Sequence, residues 1–148
     1  MKIQAPFWAE SKELKHLFCL LDDQVRFVGG CVRDTLLGAT PNDTDLATPL
    51  LPAEVKERLE PHFRIIPTGI EHGTLTVLIN GKDLKKAEIT TLRKDIATDG
   101  RHAVVAFSKD WKEDASRRDL TINALYADFQ GNVFDFFGGI DDLKAGIV

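Results

Sequence analysis

Cysteine is scarce in this chain, with only Cys19 and Cys31 among 148 residues. Two thiols so spaced exclude a zinc site, and reduced thiols in a cytosolic-type compartment are the expectation. His72 and His102 lack ligand-type spacing, and His16 falls within a helical pattern as a surface residue, so no histidine is nominated as a metal ligand. No apolar run reaches membrane-spanning length, and the opening M-K-I-Q-A-P-F-W contains no secretory apolar segment. Positive charge is also in deficit. Nineteen Lys and Arg against 23 Asp and Glu leave a formal net charge of −4. That excludes a chain that coats nucleic acid by bulk electrostatics, so any RNA contact must be local. These absences lead to the expectation of a soluble, cytoplasmic protein; no Arg-rich leader suggests a mitochondrial address.

What is present is ordinary globular composition, 43% hydrophobic and 28% charged, in a length that suits one domain with a proper core. The informative stretch runs from Val25 to Asp45. Val25 to Val28 is a short apolar strand, Gly29-Gly30 a tight turn, Cys31 to Leu37 one or two helical turns, and Gly38 a stop. After Pro41 a second strand alternates Asp43 and Asp45 with Thr44 and Leu46. Side chains two apart on a strand share a face, so both carboxylates point the same way. Adjacent like charges repel and raise each other's pKa unless a cation lies between them, and a divalent metal removes that penalty. The glycine turn at a helix start offers N–H groups suited to phosphate, and Arg33 adds a forked donor. A Gly-Gly pair alone is a turn and a D-x-D alone is a solvated strand edge; within about twenty residues of each other they point to a metal-bridged triphosphate.

Elsewhere the pattern predicts a helix over Ser11 to Leu21, with Ser11 as N-cap and Leu14, Leu17, Phe18 and Leu21 on one face. A second helix runs from Pro52 to Leu59. Strands follow at Phe63 to Ile66, at Thr74 to Ile79 before an Asn80-Gly81 hairpin turn, and at about Lys85 to Leu92. The last of these carries Glu88 towards the sheet centre. There it either approaches Asp43 and Asp45 or pairs with Arg93 or a lysine. Arg93 to His102 is polar around Asp99-Gly100 and is expected to be a surface loop, with basic residues available to RNA or triphosphate. Lys112 to Ala124 is expected to be helical with a possible break, Asp114 and Arg118 forming an i,i+4 pair. A hairpin over Ala124 to Phe136 around Gln130-Gly131 and a short helix from Ile140 to Lys144 end the chain.

Three ordered motifs carry a resemblance. Gly29-Gly30-x-Val32-Arg33-Asp34, then Asp43-x-Asp45, then Arg117-Arg118-Asp119-Leu120-Thr121-Ile122-Asn123-Ala124 resemble the head of class II tRNA nucleotidyltransferases, the CCA-adding enzymes, and of bacterial poly(A) polymerases, within the DNA polymerase beta superfamily. The resemblance covers the chain from about Val25 to its end. It implies an α/β (α+β) nucleotidyltransferase fold with a mixed sheet of about five strands and helices mainly on one face. It further implies a leading helix region over residues 1–22, a catalytic core over 23–128, and a last strand with the start of a neck over 129–148.

The implied chemistry is template-independent addition of CCA to the tRNA 3′ end from CTP and ATP. Two Mg²⁺ ions are expected on Asp43 and Asp45. Glu88 matches a third carboxylate that assists metal binding or deprotonates the attacking hydroxyl. Gly29, Gly30, Arg33 and Arg118 would contact the nucleotide, while Asp119 and Asn123 order the surrounding backbone. The family places proline after the aspartate where Phe136 follows Asp135, a departure that concerns packing. It also continues into a neck with an E-D-x-x-R motif that selects the base; no such motif follows here, so the expectation is a catalytic head cut from a longer enzyme. A poly(A) polymerase shares these head motifs, and a non-catalytic nucleotide- or RNA-binding module of the same fold is the rival of another class.

Overall fold

The computed structural model describes residues 1–4, 6–39, 44–66, 72–79, 86–98 and 103–146. Asp43, the Asn80-Gly81 turn and the Asp99-Gly100 turn lie outside the described residues.

Helix α1 (Lys12–Leu20) begins where Ser11 accepts a hydrogen bond from the Leu14 N–H at 3.2 Å. This is the cap its sequence position predicts. Helix α2 (Gly30–Leu36) follows β1 (Arg26–Val28), and α3 (Pro52–Leu59) follows β2 (Thr44–Thr48). Gly38 ends α2 with φ +78°, its N–H reaching the Thr35 carbonyl while the Ala39 N–H reaches that of Asp34. That paired closure requires a left-handed residue, which glycine adopts freely.

The remaining strands of the main sheet are β3 (Arg64–Ile66), β4 (Thr74–Leu78), β5 (Lys86–Thr91), β8 (Leu125–Ala127) and β9 (Val133–Asp135). Their order is β3-β4-β5-β2-β1-β8-β9, and β2 and β5 form its parallel pair. The mixed sheet is therefore a five-strand centre extended by the three-residue edge strands β3 and β9. One face carries the main core. Phe27, Leu46, Leu75, Val77 and Ile89 pack there with Leu14, Leu17 and Phe18 of α1 and Val55 and Leu59 of α3. Trp8 is fully buried in the same core, stacked on Phe27 at 3.9 Å between ring centroids, with its indole N–H donating to the Phe129 carbonyl at 2.9 Å.

Alternation sends the other residues of these strands to the opposite face. Val28, Ala47, Leu92 and Tyr126 form a smaller cluster there with Ala115 of α4 (Trp111–Ser116) and with Ala124. Asp45, Glu88 and Thr90 occupy the part of this face left partly open.

Two local expectations need correction. The segment from Arg93 is not a surface loop: β6 (Arg93–Thr98) and β7 (Ala103–Phe107) pair antiparallel as a separate two-stranded sheet, with a register shift between Asp95 and Ala97. A ribbon outside the main sheet needs no continuous apolar face, so its polar sequence hides the strand. The helix expected through Ala124 stops at Ser116; Arg117 closes it, Leu120 is extended at φ −122°, ψ 137°, and a single 3-10 turn spans Thr121–Asn123. The interruption lets Arg118 reach back to β8. Helix α5 (Gly139–Ala145) ends the described chain; Asp135 accepts from the N–H groups of Gly139 at 2.8 Å and Ile140 at 3.0 Å.

Candidate active site

The turn between β1 and α2 forms one wall of the site. Gly29 sits at φ +73°, ψ −133°, a conformation closed to residues bearing a Cβ, and its N–H donates to the Leu125 carbonyl at 3.1 Å. The chain can then turn from strand to helix within one residue. Arg33 follows in the first turn of α2. Its Nη1 donates to Asn123 Oδ1 at 3.0 Å and its Nε to Asp34 Oδ1 at 3.1 Å, which fixes the guanidinium plane. Asn123 thus orders the motif on the 3-10 turn against the motif on α2.

The second wall is the open sheet face. Asp45 on β2 and Glu88 on β5 are register partners on adjacent parallel strands, so their side chains project from the same face. Together with Thr44 and Lys86 they line a recess of about 190 Å³, and Lys86 Nζ lies 3.9 Å from Glu88 Oε1. Glu88 thus lies in register with Asp45 of the acid strand and also beside a lysine. Among the described residues no three His, Cys, Asp or Glu side chains converge as metal ligands. The two carboxylates are the hard oxygen donors that suit Mg²⁺.

Asp45 also lines a larger cleft of about 410 Å³ beside the glycine turn, together with Gly29, Gly30, Arg33, Arg118, Asn123, Thr90 and Arg93. Two bigger hollows, of about 540 and 710 Å³, lie elsewhere, and neither touches the glycine turn or the Asp45–Glu88 pair. Chemistry rather than size locates the site. Asp119 is exposed and does not line the cleft.

The third wall is cationic. Arg118 Nη2 donates to Asp114 Oδ2 at 3.1 Å and Nε to the Tyr126 hydroxyl at 3.3 Å; that hydroxyl donates to Asp114 Oδ2 at 2.6 Å. Burial pulls the Arg118 pKa down, but Asp114 and Tyr126 outweigh it and hold the guanidinium above its ordinary value. Burial first, and then donation to Asp114, push the Tyr126 hydroxyl well above the usual phenol range. Arg93 is pulled below its ordinary value by burial and then by repulsion from Arg117 and Arg118, with Asp114 opposing. Arg93 Nε is buried with no hydrogen-bond partner among the described residues, as is Arg117 Nε. Arg93 and Arg118 line the cleft on either side of Asp114, with Arg117 near enough to repel Arg93, so this wall carries positive charge suited to a polyanion.

No motif marked Thr90 for the cleft or Asp114 and Tyr126 for its wall, and Arg93 was marked only as one of the basic residues of an expected loop. The spacing Asp114 to Arg118 was the available signal for the wall. The strand that carries Arg93 lay hidden in a segment whose polar composition suggested a loop.

A sequence profile of the Poly A polymerase head domain matches residues 25–148. The chain is 44% identical to the human "CCA tRNA nucleotidyltransferase 1, mitochondrial" over 97% of this chain and 34% of that protein. It is 45% identical to the "CCA-adding enzyme" of Lactiplantibacillus plantarum over 82% of this chain and 29% of that one. Among solved structures, the Bacillus stearothermophilus CCA-adding enzyme in complex with CTP superposes with a TM-score of 0.74 at 35% identity, covering 95% of this chain and 32% of that one. The chain spans about a third of the length of these relatives. No helix among the described residues is long and apolar enough to cross a membrane.

Proposed function

The chain belongs to the Poly A polymerase head domain family, and we propose that it is the catalytic head of a template-independent nucleotidyltransferase that adds CCA to the 3′ end of tRNA from CTP and ATP. The observation that carries this reading is the in-register pair Asp45 and Glu88, set beside the Gly29–Gly30 turn in a cleft that also holds Arg33, Arg93 and Arg118. The relatives' names supply the substrate: tRNA for the human protein, CTP for the Bacillus structure. We also assign the protein to the cytoplasm.

In this reading Asp45 and Asp43 hold Mg²⁺, with Glu88 assisting. A Mg²⁺ ion held there would supply positive charge to offset that of the triphosphate and of the entering and leaving oxygens. Arg93 and Arg118 receive phosphate oxygens, whose negative charge relieves the repulsion between Arg93 and Arg117. Arg33, held by Asn123, sets the orientation of the nucleotide against the glycine turn. Glu88 would accept the proton of the attacking ribose hydroxyl, a role that its register with Asp45 supports.

The experiment is to supply tRNA lacking its terminal CCA with CTP and ATP, separately and together. Addition of C-C-A followed by a stop supports the reading; an A-only tail assigns the protein to poly(A) polymerases. Mg²⁺-dependent nucleotide binding without any incorporation by the complete protein makes it a non-catalytic module.

A further inference from the structure

Asp114 is 2% exposed, and its carboxylate is used on both sides. Oδ2 accepts from the Tyr126 hydroxyl and from Arg118 Nη2, while Oδ1 accepts from the Arg93 backbone N–H at 3.0 Å. The three donors come from three elements: strand β8, next to the edge of the main sheet, the turn after α4, and the root of β6. Arg93 and Arg118 are both cleft residues. One buried carboxylate, itself outside the cleft lining, therefore anchors two of the arginines that line it.

We propose that Asp114 is a positioning residue for nucleotide binding, acting through Arg118 and through the backbone of Arg93. This rests on the nucleotide-binding reading given above. Arg118 is gripped at Nε by Tyr126 and at Nη2 by Asp114, which leaves Nη1 without a protein partner among the described residues. A guanidinium fixed at two nitrogens meets an anion with little loss of side-chain freedom. Without Asp114 the charge remains but its direction is lost. A purely electrostatic role makes the opposite prediction: removing a negative charge from a cationic cleft would tighten nucleotide binding.

The test is a double-mutant cycle read as the dissociation constant of CTP with Mg²⁺, with thermal unfolding of every variant as the fold control. Asp114→Asn and Arg118→Gln each weaken CTP binding about tenfold, and the double variant is no weaker than the worse single one, because both remove the same oriented contact. Additive losses, or tighter binding by Asp114→Asn, overturn the proposal. Should Asp114→Asn fail to fold, Tyr126→Phe replaces it in the cycle. That change keeps the ion pair and deletes only the shared hydroxyl, so CTP binding weakens about threefold in the wild-type background and not at all beside Arg118→Gln; additivity there is again the overturning result. A wild-type protein that binds no CTP overturns the functional reading and this inference with it. Wild-type binding with additive losses overturns this inference alone.

Discussion

Asp45 and Glu88 face each other across the parallel pair of strands in the main sheet, both on the side that α1 and α3 leave uncovered. Two acids in register on one face offer paired hard oxygen donors of the kind that suit a divalent cation. Asp45→Asn is expected to lower nucleotide incorporation roughly 100-fold or more while leaving the fold intact, because the side chain lies on the open face and supports no core contact. Incorporation assays beside thermal unfolding check this. Near-normal incorporation by the variant would remove the metal assignment.

Arg93 belongs to the same site for a different reason. Burial and two neighbouring arginines depress its pKa, and its Nε has no hydrogen-bond partner among the described residues. Arg93→Gln should weaken binding of CTP about tenfold and binding of cytidine hardly at all, since the lost contact is to phosphate. Stability should hold or rise slightly, because the substitution relieves repulsion from Arg117 and Arg118. Paired calorimetric titrations with CTP and cytidine, together with urea unfolding, separate these effects. Equal losses for nucleotide and nucleoside would place Arg93 away from the phosphates.

The contrast between these residues shows what the sequence could carry. Asp45 was legible because strand alternation fixes which face a residue occupies, and Arg33 and Asn123 because they sit at fixed offsets from a glycine turn and an Arg-Arg-Asp run. The helices α1 and α3 were legible from apolar spacing and from Ser11 and Pro52 at their starts. Arg93 was legible only as one of the basic residues of an expected loop, because its place depends on β6 pairing with β7, a ribbon outside the main sheet whose first strand is polar and has no alternating apolar face to declare it. Tyr126 was not legible. It is the chain's only tyrosine, and its role arises from a hydroxyl that meets residues 8 and 12 positions away through the break in the helix.

Gly29 and Gly139 are expected to fail on substitution through different mechanisms. Gly29→Ala forces a side chain into φ +73°, ψ −133°, costing roughly 1–3 kcal/mol and displacing the turn. Gly139→Ala meets no such strain; its Cβ would instead overlap the Thr121 carbonyl and press the 3-10 turn away from α5, also at roughly 1–3 kcal/mol. Urea unfolding measures both losses. Nucleotide affinity is expected to fall further for Gly29→Ala, whose turn lines the cleft directly, than for Gly139→Ala, which reaches it only through Asn123.

Cys31 supplies a prediction about pH. Its thiol is 2% exposed and donates to the Val28 carbonyl at 3.4 Å and the Asp45 carbonyl at 3.6 Å. Burial pushes its pKa up from 9.0 to about 11, because the thiolate would lie desolvated in the core. A raised folded-state pKa contributes stability that is fully present below the unfolded value of 9.0 and is lost as pH rises through about 11. By pH 11 the loss should amount to about 2 kcal/mol relative to pH 8. Other groups also titrate there, so the informative quantity is the difference between wild type and Cys31→Ala in urea unfolding at the two pH values. Wild type is expected to lose about 2 kcal/mol more than the variant across that interval. Iodoacetamide at pH 8 gives the parallel readout: exposed Cys19 is alkylated rapidly and Cys31 only on unfolding. Rapid native-state alkylation of Cys31, or identical pH slopes for the two proteins, would show that β1, α2 and β2 do not close over the thiol, and the glycine turn would then lack the packed base on which the site is built.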